Sequence, residues 1–415
     1  MKKIWILLLT LSVLFVGCGD KNNKEDKIVI KYGLWDSVQE PVFRDLADQF
    51  EKENPNIEIE IENTPYSQYW TKLQASSTGG VAPDVIWMNG PSIMKYTEHK
   101  MLLPLDEMVK KDSIDLGKYV KGIKELYNYK GVQYGIPKDV DSQALWYNKD
   151  LFDKAGVPYP KNDWTWDDMK KAAIEIQSKL EGVYGIAIPF YDDQGSFYNI
   201  IPQNDGFIIS EGKKTSGYGN PEAIKAIQMM RDLIDEKASP DYTTILENKA
   251  TEMFQSEKVA MTYQGSWRAS PLNSDEKINT HIGVVKMPKI KKSTTVVHGI
   301  GYAITKGTKH PEASWEFIKF LASKKANDFI AKSGITIPAY VESQNLWASN
   351  YKNIDVTAHI NALKDNISYP VSLDTAKWSH VQNEYLAQVW TGTMSAEEAC
   401  KKIKVEMDEI LKKEK

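Results

Sequence analysis

Residues 27–64 read KIVIKYGLWDSVQEPVFRDLADQFEKENPNIEIEIENT, and the class of fold follows from them. From Ile28 the apolar run reads as a strand. Pro41 suits the first turn of a helix, and Phe43, Leu46, Ala47 and Phe50 fall on one face at helical spacing. Ile57, Ile59 and Ile61 then alternate with glutamates, the mark of a half-buried strand. A second helix around YWTKLQASS leads to APDVIWMNG, a short apolar run behind a proline and a third strand. Strand, helix, strand, helix, strand implies right-handed crossovers and parallel pairing, hence an α/β layered sheet.

The rest of the chain repeats the style. GIPKDVDSQALWYNKDLFDKAGV reads as a strand and a short helix, and DWTWDDMKKAAIEIQSKL as a helix opened by an Asp/Thr cap region. VYGIAIPF is a strand; NPEAIKAIQMMRDLID is a helix with Asn220 as cap and Pro221 in its first turn. VAMTYQGSW, HIGVVKMP and HGIGYAITKG read as strands, HPEASWEFIKFLAS as a helix, and the tail from Ser395 is helical. At 415 residues the chain exceeds one ordinary core, so two domains are expected.

Composition narrows the function. The formal net charge is −4, and about −6 without Lys2 and Lys3, which argues against a nucleic-acid surface. The six histidines (99, 281, 298, 310, 359 and 380) do not cluster, no zinc-type spacing appears, and no GxxxxGK[ST] loop is present, so neither metal nor cofactor is expected. With Cys18 committed to the N-terminal signal, Cys400 has no intrachain partner; it sits in SAEEACKKIKVEMDEI and is expected as a small buried hydrophobe. Aromatics are abundant, with 12 Trp and 21 Tyr, while arginine is confined to Arg44, Arg231 and Arg268. Such a balance suits flat apolar ligand faces better than forked recognition of planar anions.

The N-terminus reads as an address. Lys2 and Lys3 precede an apolar run from Ile4 to Val16, too short to span a bilayer but fitting the core of a secretory signal. The run ends at Gly17-Cys18, and LFVGC resembles the lipobox of bacterial lipoproteins, although Phe15 stands where that motif prefers Leu. The resemblance implies removal of residues 1–17, acylation of Cys18 and a polar tether over 18–27. Such a protein is held by lipid at the outer face of the cell membrane.

The order of the remaining pieces resembles the extracellular solute-binding proteins that serve sugar-importing ABC transporters, the relatives of maltose-binding protein. The motifs that carry the resemblance are FEKENPNIEIEI, APDVIWMN, YGIPKDVDSQALWYNKDLF, VAMTYQGSW, HGIGYAITKGTKHPEASWEFIKFLAS and GITIPAY, which run in family order over nearly all of residues 28–415. It implies two α/β lobes joined by a hinge that the chain crosses three times, near Asp139, Lys286 and Ala339. The first lobe is then 28–139 plus 286–339, and the second 140–285 plus 340–415. Pro, Gly and short polar residues in YGIPKDVDS, VVKMPK and IPAYVES independently suit hinge strands.

A sugar site needs an aromatic plate and many polar groups at its rim, because each buried hydroxyl without a partner costs about 1–3 kcal/mol. Trp267 in GSW and Trp378 in TAKWSH match stacking positions of the family. Trp35 and Asp36 follow the first strand, and Trp87 and Asn89 follow the third, where ligands of parallel sheets bind. Asp84 is expected to brace its turn instead. Asp139 and Asp141 flank the first crossing, where the family keeps an acidic contact, and the sequence leaves open which one meets ligand. Tyr191, Phe197, Asn204 and Asp205 are candidates from the second lobe. His298 and Gly299 enter a strand at which backbone approaches closely.

These readings describe a monomeric carbohydrate receptor, not an enzyme, whose partners are a sugar, the permease subunits of an importer and, through lipid, the membrane. Two other classes fit parts of the sequence: a secreted glycoside hydrolase, which also needs paired carboxylates, and a glycan-adhesion lipoprotein, which needs no hinge.

Overall fold

The computed structural model describes residues 27–414; the expected signal peptide, the expected acylation at Cys18 and nearly all of the expected tether fall outside them. Strand β1 (Ile28–Leu34) is followed by α1 (Glu40–Glu53), β2 (Ile57–Asn63), α2 (Tyr66–Thr78), β3 (Val85–Met88) and α3 (Gly90–Glu98). β1 pairs in parallel with both β2 and β3, as the crossover argument requires. α1 buries Phe43, Leu46, Ala47 and Phe50, the face read from their spacing. Each such side chain taken out of water contributes about 1.5–3 kcal/mol. The helix Pro311–Leu321 also covers this sheet, with Phe317 edge-on to Tyr32 at 5.2 Å.

Two strands from far along the chain complete the first sheet, whose order is β2, β1, β3, Gly301–Ile304, Ile136–Pro137. The last two run antiparallel to their neighbours. A second, four-stranded sheet has the order Ile282–Lys286, Gln143–Asn148, Val259–Gly265, Tyr184–Ala187. The α/β fold is therefore built on two sheets, one per lobe.

Between the sheets lie short paired segments. Asp139–Val140 pairs antiparallel with Ile337–Pro338. Asp141 forms a bridge with His298, and Ala339 N–H donates to Lys138 O at 3.1 Å. Gly299 packs so tightly here that a β-carbon would stand 2.1 Å from Asp139 O, which explains the glycine. Residues 286–297 remain bonded to the second sheet's surroundings: Lys286 N–H donates to Asn162 Oδ1 (2.9 Å) and Val296 N–H to Asn199 Oδ1 (2.8 Å).

Local expectations hold at several points. The helix Trp166–Lys179 opens with a reciprocal Thr165/Asp168 capping box. Asn220 precedes the helix Pro221–Asp235 but makes no side-chain cap bond. Cys400 is fully buried, and burial pushes its thiol up to about 12, so it behaves as an apolar residue. Asp84 accepts from Lys31 N–H at 2.9 Å and from the Thr308 hydroxyl at 2.5 Å, bracing its turn. Among the described residues no helix is long and apolar enough to cross a membrane.

Candidate functional site

A cavity of about 420 Å³ opens between the sheets beside the paired crossing segments. The first lobe supplies its wall from strand ends. β1 stops at Leu34, which places Trp35 and Asp36 on the rim, and β3 stops at Met88, which places Asn89 there. Asn89 caps α3 by accepting from Ser92 N–H, and its amide reaches the Tyr66 hydroxyl at 3.3 Å. Trp35 is wedged edge-on against Tyr69 (4.9 Å), Trp87 (5.2 Å) and Tyr66 (5.6 Å). Asp36 is occupied in building its own turn, accepting from Val38 N–H at 2.8 Å and from the Gln39 amide at 2.9 Å.

The floor comes from the crossing segments, and the two aspartates there differ. Asp139 has both oxygens engaged: Oδ1 accepts from Ile300 N–H at 2.6 Å, and Oδ2 from Lys138 Nζ at 2.5 Å and Thr336 Oγ1 at 3.2 Å. One carboxylate thus ties together all three crossing segments. Lys138 is wholly buried; it also donates to Gln39 Oε1 at 2.8 Å and sits 4.3 Å over the Trp87 ring. Asp141 Oδ1 accepts from Gln194 Nε2 at 2.5 Å and His298 N–H at 3.1 Å, while Oδ2 has only His298 Nδ1 at 3.8 Å. Gly90 N–H donates to His298 Nε2 at 3.1 Å, which assigns the ring proton to Nδ1, facing Asp141.

The second lobe adds Asp192, Asp193, Gln194 and Trp267. Asp193 Oδ2 accepts from the Tyr369 hydroxyl at 2.8 Å, and Tyr369 packs 5.2 Å from the His298 ring. Asp192 Oδ1 accepts from Gly195 N–H at 3.1 Å. Burial, then the charge of Asp193, pushes Asp192 up to about 7. Burial also raises Asp141 and Asp193, against which His298 and Tyr369 respectively pull down. Among the described residues the cavity is lined by five aspartates and by no lysine or arginine.

The structure brings together seven of the residues singled out in the sequence: Trp35, Asp36, Asn89, Asp139, Asp141, Trp267 and His298. The others fall elsewhere. Trp87 and Trp378 are core residues: the Trp87 indole N–H donates to Tyr32 OH at 2.5 Å, and that of Trp378 to Ser372 Oγ at 2.8 Å. Gly299 serves backbone packing and does not face the cavity. Phe197 and Asn204 are buried within and just after the helix Phe197–Gln203, the Asn204 amide donating to Glu222 O at 2.7 Å. Tyr191 is exposed beneath Lys249, and Asp205 pairs with Lys291 and Lys292 at 3.6 and 3.5 Å. In their place the neighbouring Asp192-Asp193-Gln194, with Gln39, Tyr66 and Tyr369, were missed. Among the described residues no three His, Cys, Asp or Glu side chains are placed to hold a metal ion.

Two α/β lobes with a polar, aromatic-walled cavity at their junction define a binding protein that holds a small solute between lobes. The chain belongs to the bacterial extracellular solute-binding proteins, whose family model matches residues 36–328. It is 22% identical to a putative binding protein of Brucella abortus over 98% of both chains. It is 25% identical to the multiple sugar-binding protein of Streptococcus mutans, over 78% of this chain and 79% of that one. Its structure is similar to an ABC substrate-binding protein of Listeria monocytogenes in complex with cycloalternan, with 26% identity, a TM-score of 0.84, and 93% of this chain and 99% of that one covered.

Proposed function

We propose that the protein is the carbohydrate receptor of an ABC importer, tethered by lipid at Cys18 on the extracytoplasmic face of the membrane and working as a monomer. One observation carries the reading: the partly exposed Trp267 ring shares the cavity lining with acceptors of spare capacity, among them Asp141 Oδ2 and Asp192 Oδ2. A pyranose offers a flat apolar face to the ring and hydroxyls to the acceptors. Relatives named for sugars support the same class of ligand.

In this reading Trp267 stacks on sugar, Asp141, Asp192, Gln194 and Asn89 hold hydroxyls, and Asp139 pins the hinge. The chain crosses between lobes at Asp139–Asp141, at His298–Ile300 and near Ala339. The bonds of Lys286 and Val296 to Asn162 and Asn199 support a second crossing at His298 over the one expected near Lys286. The closed form then presents the sugar to permease subunits, and no bond in the ligand is broken. Thermal-shift screening of residues 19–415 against a panel of neutral oligosaccharides tests this. A glycan that raises the melting temperature and is recovered intact supports the reading; a panel without any such glycan refutes it, and recovery of shortened sugars would favour a hydrolase.

A further inference from the structure

The cavity does not end at Tyr66. Tyr66, Asn89 and Pro91 also line a groove of about 780 Å³ that runs outward along α2. Cavity and groove together exceed the roughly 1,000 Å³ that holds an ordinary small ligand. Tyr66, Trp70, Gln74 and Thr78 stand four residues apart and all face the groove. Consecutive members of such a stripe lie about 6 Å apart along a helix axis. The helix buries Tyr69 and Leu73 on the adjoining face, which leaves Tyr66 exposed and Trp70 half-buried at the groove.

The rings form a continuous series out of the cavity: Trp35 to Tyr66 at 5.6 Å, Tyr66 to Trp70 at 6.3 Å, Trp70 to Tyr96 at 6.0 Å. Across from them the second lobe supplies Asp374 and Lys377. That wall is fastened by Glu414, whose carboxylate accepts from Ser372 Oγ at 2.6 Å and from Asp374 N–H at 2.9 Å. An aromatic stripe facing charged groups across an open groove suits a chain of amphipathic rings.

We propose that this groove takes the outer units of an oligosaccharide whose inner units fill the cavity, with Trp70 as a second stacking face, so that the receptor favours glycans longer than a disaccharide. This rests on the carbohydrate reading above. The groove's continuity with the cavity through Tyr66, Asn89 and Pro91 makes the occupant the same molecule and not a second ligand.

The test uses the soluble mature chain, Trp70→Ala and Trp70→Phe, titrated by calorimetry with gluco- and galacto-oligosaccharide series of two to six units. Affinity is expected to rise beyond two units, and Trp70→Ala to remove that rise, a loss of roughly 5- to 150-fold for the longer members. Disaccharide affinity stays unchanged in Trp70→Ala, which also shows that the variant folds, and Trp70→Phe retains part of the rise. Wild-type affinity independent of length, or an equal loss at every length in Trp70→Ala, overturns the proposal while leaving carbohydrate binding intact. Wild-type protein that binds no member of either series overturns it as well, and screening of the wider panel then decides the carbohydrate reading separately.

Discussion

The Trp267 ring lies directly over Gly265: a β-carbon built on Gly265 would stand 2.1 Å from ring atom Cζ3. The plate therefore keeps its place because residue 265 has no side chain. Trp267→Ala should lower affinity for the cognate sugar by about 1–3 kcal/mol, as for base–aromatic stacking, or roughly 5- to 150-fold. Gly265→Ala, which leaves the indole present but displaced, should lose a comparable share, with secondary structure unchanged by circular dichroism. Full affinity in both variants, measured by calorimetric titration, would remove Trp267 from the site.

Asp139 and Asp141 should separate cleanly. Asp139→Asn leaves Lys138 buried without its counter-charge, a change that typically destabilises by about 3–5 kcal/mol. Asp141→Asn should leave the unliganded melting temperature nearly unchanged and weaken ligand binding by about 1.5–3 kcal/mol, the value of a hydrogen bond to a charged group. Chemical denaturation beside titration of both variants checks the division. The opposite pattern, with Asp139→Asn stable and Asp141→Asn unfolded, would exchange their roles.

The raised Asp192 gives a pH dependence of known sign. Below about pH 4 the folded and unfolded forms both hold the proton. Between there and about 7 the unfolded chain releases it while the fold retains it, so stability falls as pH rises through this window and levels off above it. Melting temperatures of wild type and Asp192→Asn from pH 5 to 8 should therefore diverge, wild type losing ground as pH increases. Taking the difference cancels the opposite trend from buried His359, whose imidazole burial holds down at about 3. A flat difference curve would mean that Asp192 ionises as an ordinary carboxylate.

Replacing Cys18 by Ala should yield protein that carries no acyl label and partitions into the aqueous phase or keeps its signal peptide. The expectation rests on the short apolar run that ends in Gly17-Cys18. Metabolic labelling with a fatty-acid probe followed by detergent phase separation decides it, and a labelled Cys18→Ala protein would sink the anchor.

The sheets were legible because periodicity survives where one face is buried, as in Ile57, Ile59 and Ile61. It vanishes where both faces are covered: all four residues of β3 are buried, so nothing in VIWM tells which side chain turns toward ligand. Hence Asn89, past the strand's end, lines the cavity and Trp87, within it, lies in the core. Trp378 lies in the core for a related reason. One residue is about a 100° turn on a helix, and it is the adjoining Lys377 that faces the groove. In FYDDQGSFYN the aromatics drew attention from Asp192-Asp193-Gln194, although Phe197 opens a buried helix. The stripe Tyr66, Trp70, Gln74 was present at helical spacing, but Tyr69 and Leu73 make an equally good stripe, and only the packed structure says which one is core. Thr336 and Tyr369 reach the cavity from far along the chain, by pairings that no local pattern encodes.

Three crossing segments fastened at the single carboxylate of Asp139 make a joint with one fixed point. A joint of that kind can swing but has little freedom to slide. On that reading the two halves would meet in one outline whatever lay between them. On the reading proposed above, cargo of different lengths would be accommodated by how far it protrudes along α2, not by how far the jaws shut, and a membrane partner would be offered the same silhouette for every passenger.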